Sequence, residues 1–165
     1  MNPLARDLLH VALIGMAATA AMDLWLLLLR RLQVPTLDFA LMGRWVGHLA
    51  RGRWAHAAIA KSAPIPRERA LGWGFHYATG IAFAGLLVGI QGAGWVRDPS
   101  WLPALSVGLA TLAAPLFVMQ PAMGAGIAAS RTATPLRNVA RSVANHAVFG
   151  AGLYLAALVL APLAR

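Results

Sequence analysis

Asp23, His76 and His146 stand inside stretches of the chain that are otherwise apolar. A charged group at the centre of a bilayer costs about 2.5 to 3.5 kcal/mol on insertion scales, so each of these residues requires a partner or a purpose. Imidazole nitrogen and thioether sulfur suit copper or haem iron, and a carboxylate can complete such a site. The third apolar stretch contributes Met119, Gln120 and Met123, and Asn145 adjoins His146. The candidate pocket is therefore Asp23, His76, Met119, Gln120, Met123, Asn145 and His146. Three readings fit it. The first is a metal or haem site with Asp23, His76 and His146 as ligands. The second is a proton or substrate pathway, in which the histidines titrate near neutral pH and Asp23 balances their charge, as in a proton-coupled transporter. The third involves no chemistry: Asp23 pairs with a histidine, while Gln120 and Asn145 hydrogen-bond between helices and specify packing. An enzyme is the less expected outcome, because Ser130, Thr132 and Ser142 have no flanking catalytic motif. With no cysteine in the chain, thiolate nucleophiles, iron–sulfur clusters and disulfides are excluded.

These residues need elements to hold them, and composition says what kind. Of the 165 residues, 59% are hydrophobic and 12% charged, too apolar for a water-soluble fold of this size. Crossing a hydrocarbon core about 30 Å thick takes roughly 20 apolar residues of helix. Four stretches qualify, at about 8–29, 70–91, 102–129 and 142–163, which predicts an all-α, four-helix transmembrane bundle forming a single domain over 1–165. The third stretch is overlong and contains Pro115 and Pro121, each lacking a backbone donor, so a kink or tilt is expected there. Ala18-Thr19-Ala20 imitates a signal-peptide cleavage site, but the apolar run continues to Leu29 and stops at Arg30-Arg31, as an anchoring helix does.

Lys and Arg distribution orients the bundle. Arg6, Arg97 and Arg165 fall on one side. The other side holds Arg30, Arg31, Arg44, Arg51, Arg53, Lys61, Arg67, Arg69, Arg131, Arg137 and Arg141, and is expected to be cytoplasmic, with both termini periplasmic. The formal charge of +9 follows from this orientation and from no nucleic-acid surface, since the basic residues lie between apolar runs. Asp23 is seven residues from Arg30, His76 seven from Arg69 and His146 five from Arg141. At about 1.5 Å per residue, all three lie roughly 8 to 11 Å inside the cytoplasmic boundary. Small residues accompany the histidines at four-residue spacing, in Gly72, His76, Gly80, Ala84 and in Ser142, His146, Gly150, Tyr154, so both imidazoles should face other helices. The two hairpins also echo one another: His76 and Gly80 match His146 and Gly150, and Gly15 matches Gly108.

The first loop, 30–69, is too long for a tight connection. Mixed helical periodicity over 36–49 predicts an additional interfacial helix, with Trp45 and Trp54 at headgroup level, Arg44, Arg51 and Arg53 near phosphates, and Pro64-Ile65-Pro66 closing the segment. It could serve as a scaffold or as a lid over a site beneath it. Asp38, Arg44, His48, His56, Glu68 and Arg131 are the polar candidates on this side. The spacing of eight between His48 and His56 suits one helix face and no compact ligand pair.

Gly43-Arg44-Trp45-Val46-Gly47-His48, Glu68-Arg69-Ala70-Leu71-Gly72-Trp73 with His76-Tyr77, Met119-Gln120-Pro121-Ala122-Met123-Gly124 and Ala129-Ser130-Arg131-Thr132 give the chain a family resemblance over nearly its whole length. It resembles a family of small bacterial membrane proteins, domain of unknown function 2938. The resemblance implies a bacterial inner-membrane location and carries no activity with it. The expected partners are the lipid bilayer, a second copy of the chain or a membrane complex. A pocket for a metal, cofactor or small substrate stands beside a non-enzymatic scaffold or accessory subunit as the functional expectation.

Overall fold

The structure is a computed structural model that describes residues 2–164, and it is built of helices, with no strand among the described residues. Helix α1 runs over Pro3–Arg31, begun by Asn2, whose side-chain oxygen accepts from the Leu4 amide at 3.0 Å. Arg30 and Arg31 close it, where positive charge meets the negative end of the helix dipole. Helix α2, Phe39–Leu49, lies within the first loop, followed by α3 over Glu68–Gln91 and α4 over Trp101–Ala110. A π-helical turn, Ala114–Met119, leads into the short α5, Gln120–Ala122, and the chain ends in α6, Pro135–Ala164. Four helical segments are long and apolar enough to cross a membrane: Leu4–Arg31, Glu68–Gln91, Trp101–Ala122 and Pro135–Ala164. Arg165, counted above on the outer side, lies outside the described residues.

The third span departs from the expected continuous run over 102–129. It is interrupted after Ala110 and ends at Ala122; residues 123–134 are irregular apart from a short turn at Ile127–Ala129. Pro115 and Pro121 explain the break. Neither can donate to the carbonyl four residues back, and the backbone takes up a wider turn in which the Gln120 amide reaches the Pro115 carbonyl. The last helix, conversely, begins at Pro135, seven residues before the expected start, because proline is well suited to a first helical turn.

The chain divides into two compact units. The first comprises Met1–Pro35, Tyr77–Thr111 and Ala144–Arg165. Its core joins Ile14 and Ala18 of α1, Ala84 and Leu87 of α3, Ala104 and Val107 of α4, and Phe149, Leu153 and Ala157 of α6. Glycine lets the backbones meet. A Cβ on Gly15 would stand 2.6 Å from Ile81 Cα and 2.9 Å from the Gly80 carbonyl; one on Gly108 would stand 2.5 Å from Gly150 Cα. The glycines that echo one another in sequence are therefore the contact points, α1 on α3 and α4 on α6. Outside this core, Leu24, Leu102, Leu155 and Val159 are exposed, an apolar surface that suits lipid better than water.

The second unit comprises Thr36–His76 and Leu112–Val143. Here α2 lies on the start of α3 so closely that a Cβ on Gly43 would collide with the Glu68 carbonyl, and one on Gly72 with that of Phe39. Trp45, Ile59, Ala122 and Met123 form its apolar centre, with Leu41, Val46, Leu49, Phe75 and Met119 packed around them.

Candidate functional site

Within the first unit several deep polar residues hydrogen-bond to neighbouring helices. The Tyr77 hydroxyl donates to Asp23 Oδ2 at 2.8 Å, and Trp25 Nε1 donates to Asn145 Oδ1 at 3.0 Å. His146 Nδ1 lies 3.1 Å from both the Gly108 carbonyl and the Thr111 hydroxyl, whose own proton goes to that carbonyl at 2.7 Å. These contacts fasten α1 to α3, α1 to α6 and α4 to α6. His76 belongs to the second unit, where its ring packs 4.6 Å from that of Phe39 and 6.0 Å from that of Trp73. Among the described residues, no group of three or more His, Asp or Glu side chains is placed to hold a metal ion.

The second unit contains a different polar cluster, and α2 organises it. Asp38 begins this helix by accepting from the Ala40 amide at 2.8 Å, which makes it a cap. Two turns further on, Arg44 forms a two-pronged pair with Glu68, Nε to Oε2 at 2.9 Å and Nη2 to Oε1 at 2.8 Å. Its remaining Nη1 donates to the carbonyls of Ala60 at 3.2 Å and Ser62 at 3.1 Å. Glu68 also accepts from the Ile65 amide at 3.2 Å. The hydrogen bond to Glu68 raises the Arg44 pKa above its ordinary value, so this guanidinium stays charged. One arginine thus binds the loop 60–68 to α2 through planar, bidentate geometry.

Next along α2 are Trp45 and His48, both buried. Trp45 Nε1 donates to the Trp54 carbonyl at 2.9 Å, and its ring meets that of Trp54 edge-on at 5.8 Å. After Leu49 the chain reverses. Arg51 and Arg53 amides both return to the His48 carbonyl at 3.0 Å, and Gly52 takes φ +78°, a left-handed conformation that glycine adopts without a steric penalty. The returning strand of loop places the His56 ring 5.0 Å from that of His48. The two are a compact pair, which corrects the expectation from spacing: His56 is not on the helix, and the turn at Gly52 does what helical periodicity could not.

Both imidazoles are buried, His48 at 4% and His56 at 7% exposure. His48 Nε2 lies 2.9 Å from the Ala63 carbonyl, and His56 Nδ1 lies 2.9 Å from Ser62 Oγ. His56 Nε2 is buried with no hydrogen-bond partner. Burial pushes the His56 pKa below 6.5, and the neighbouring Arg53 and His48 push it further down. The backbone around His56 is held against the end of the third span: its amide donates to the Ala122 carbonyl at 2.8 Å, and the Ile59 amide donates to Met123 at 3.0 Å. Met119 and Met123 thereby join the same unit as the histidine pair, packed with Trp45 and Ile59. Gln120 Oε1 is buried without a partner, while Arg131 is exposed.

The sequence marks Arg44, His48, His56 and Glu68 singly and does not reveal what joins them. Ser62 carried no signal at all. Tyr77 and Thr111, which hold Asp23 and His146, could have been suspected as the hydroxyls nearest those depths. A model of the family described as a protein of unknown function, DUF2938, matches residues 12–160. No curated protein and no solved structure matches the chain.

Proposed function

The chain belongs to the DUF2938 family, and we propose that it is a multi-pass protein of the bacterial inner membrane, with both termini periplasmic, that binds a metal or small polar ligand in its second unit. In this reading the second unit binds the ligand, and the Arg-rich first loop faces the cytoplasm. One observation carries it. The second unit buries an imidazole nitrogen with no partner beside another buried imidazole, although an unsatisfied buried polar atom costs about 1 to 3 kcal/mol. The stretches that carry the family resemblance support the same unit, since all but Tyr77 fall within it.

A second reading, a non-enzymatic scaffold or accessory subunit, is favoured by the helix-to-helix hydrogen bonds of the first unit. Asp23 with Tyr77, Trp25 with Asn145 and His146 with Thr111 are what helix fasteners in a bilayer look like. Elemental analysis, a visible spectrum and metal- or haem-dependent thermal stability of the detergent-purified protein separate the two. The binding reading expects a retained or stabilising ligand that disappears in His56→Gln and persists in Asn145→Ala. A colourless, metal-free protein that neither metals nor haem stabilise would leave the scaffold.

A further inference from the structure

The His48 and His56 rings have the hydrogen bonds of metal ligands before any metal is considered. A backbone carbonyl can only accept, so the contact of His48 Nε2 with Ala63 at 2.9 Å places the proton on Nε2 and leaves the lone pair on Nδ1. Ser62 Oγ can accept from His56 Nδ1 at 2.9 Å, which leaves the lone pair on Nε2, the nitrogen that is buried and unpartnered. A histidine that donates one ring N–H to a carbonyl or hydroxyl while the other nitrogen points its lone pair into a closed space is the usual arrangement around a metal. The His48 and His56 ring centroids lie 5.0 Å apart. Metal ligation uses the neutral form of each ring.

We propose that His48 and His56 are the principal ligands of a copper(I) ion, oriented by the Ala63 carbonyl and Ser62. The donor set selects the metal. Zinc(II) in structural sites takes four ligands, and no third His, Asp or Glu among the described residues completes a group with this pair. Copper(I) is content with two or three neutral donors of borderline or soft character, and the thioethers of Met119 and Met123 lie in the same unit. Charge points the same way. Bringing a monovalent ion into a buried site near Arg53 costs less desolvation and less repulsion than bringing a divalent one.

This inference rests on the second unit's being the ligand-binding part. The test is an anaerobic titration of the full chain in detergent with copper(I), under competition from the chromogenic chelator bicinchoninate. Wild type should retain one equivalent of copper(I), His48→Gln and His56→Gln should retain none, and Ser62→Ala should bind about tenfold more weakly, as loss of an orienting contact does. His76→Ala should match wild type. Because a core variant may misfold, X-ray absorption of copper-loaded wild type provides an independent readout, with imidazole nitrogen expected in the coordination shell. Failure of wild type to hold copper(I), or retention by either Gln variant equal to that of wild type, overturns the proposal. If zinc(II) or haem stabilises wild type but not His56→Gln while copper(I) is not held, copper is wrong and the binding reading survives; if no ligand distinguishes the two proteins, both fall.

Discussion

Arg44 is the side chain on which the order of the first loop most depends. It reaches Glu68, Ala60 and Ser62 at once, and Ser62 in turn orients His56. Arg44→Ala should therefore release 54–66 from α2, seen as earlier cleavage of that segment in limited proteolysis and a lower melting temperature. Arg44→Lys should rescue little, since an ammonium cannot reproduce the planar fork. His56 gives a pH signature in the metal-free protein. Its pKa is lower folded than the ordinary 6.5, so above 6.5 both states hold it neutral and its contribution to stability is fully present. As pH falls through 6.5 toward the folded value, the unfolded chain takes up the proton first and stability is lost. His48, Arg53 and, through the loop, the Arg44–Glu68 pair are the charged or titratable neighbours of this ring. Melting temperature should fall on acidification across that window, and the fall should be shallower in His56→Gln.

The helices of the first unit are joined where glycine removes the side chain. Gly108→Leu would force α4 off α6 at Gly150 and should destabilise by about 1 to 3 kcal/mol, the cost of overpacking. Gly89→Ala, by contrast, meets open space in α3 and should be neutral or stabilising by about 0.5 to 1 kcal/mol through helix propensity. Thermal melts of both variants in one detergent check the pair of expectations; similar losses in the two would contradict this account of the crossings. The third span shows how an element can depart from its apolar run. Its hydropathy continues past Pro115 and Pro121, but two missing donors open the turn and end the helix at Ala122. That early ending leaves the Ala122 and Met123 carbonyls available to the loop around His56.

For the whole molecule the decisive physical quantity is the asymmetry of Lys and Arg between the two sides. Alkaline phosphatase fused at either terminus should be active, and a fluorescent protein inserted at Gly52, a loop turn with nothing near its Cβ position, should fluoresce. The opposite pattern would place the first loop outside the cytoplasm and remove the proposed orientation.

The sequence by itself determined the four apolar segments, their approximate limits and the presence of a helix in the first loop. Those features follow from local hydropathy, helical periodicity and the placement of Arg and Pro, none of which needs knowledge of a distant residue. It also singled out Asp23, Asn145, His146, Arg44, His48, His56 and Glu68, because polar groups among apolar ones are visible one at a time. Partnership was decided by the tertiary structure. Asp23 accepts from Tyr77, Asn145 meets Trp25, and a turn at Gly52 brings together two histidines that helical spacing holds apart. Hydrogen bonds form between whatever atoms the backbone delivers to within about 3 Å. That delivery depends on turns, glycine crossings and a proline-opened helix whose combined effect no local pattern records.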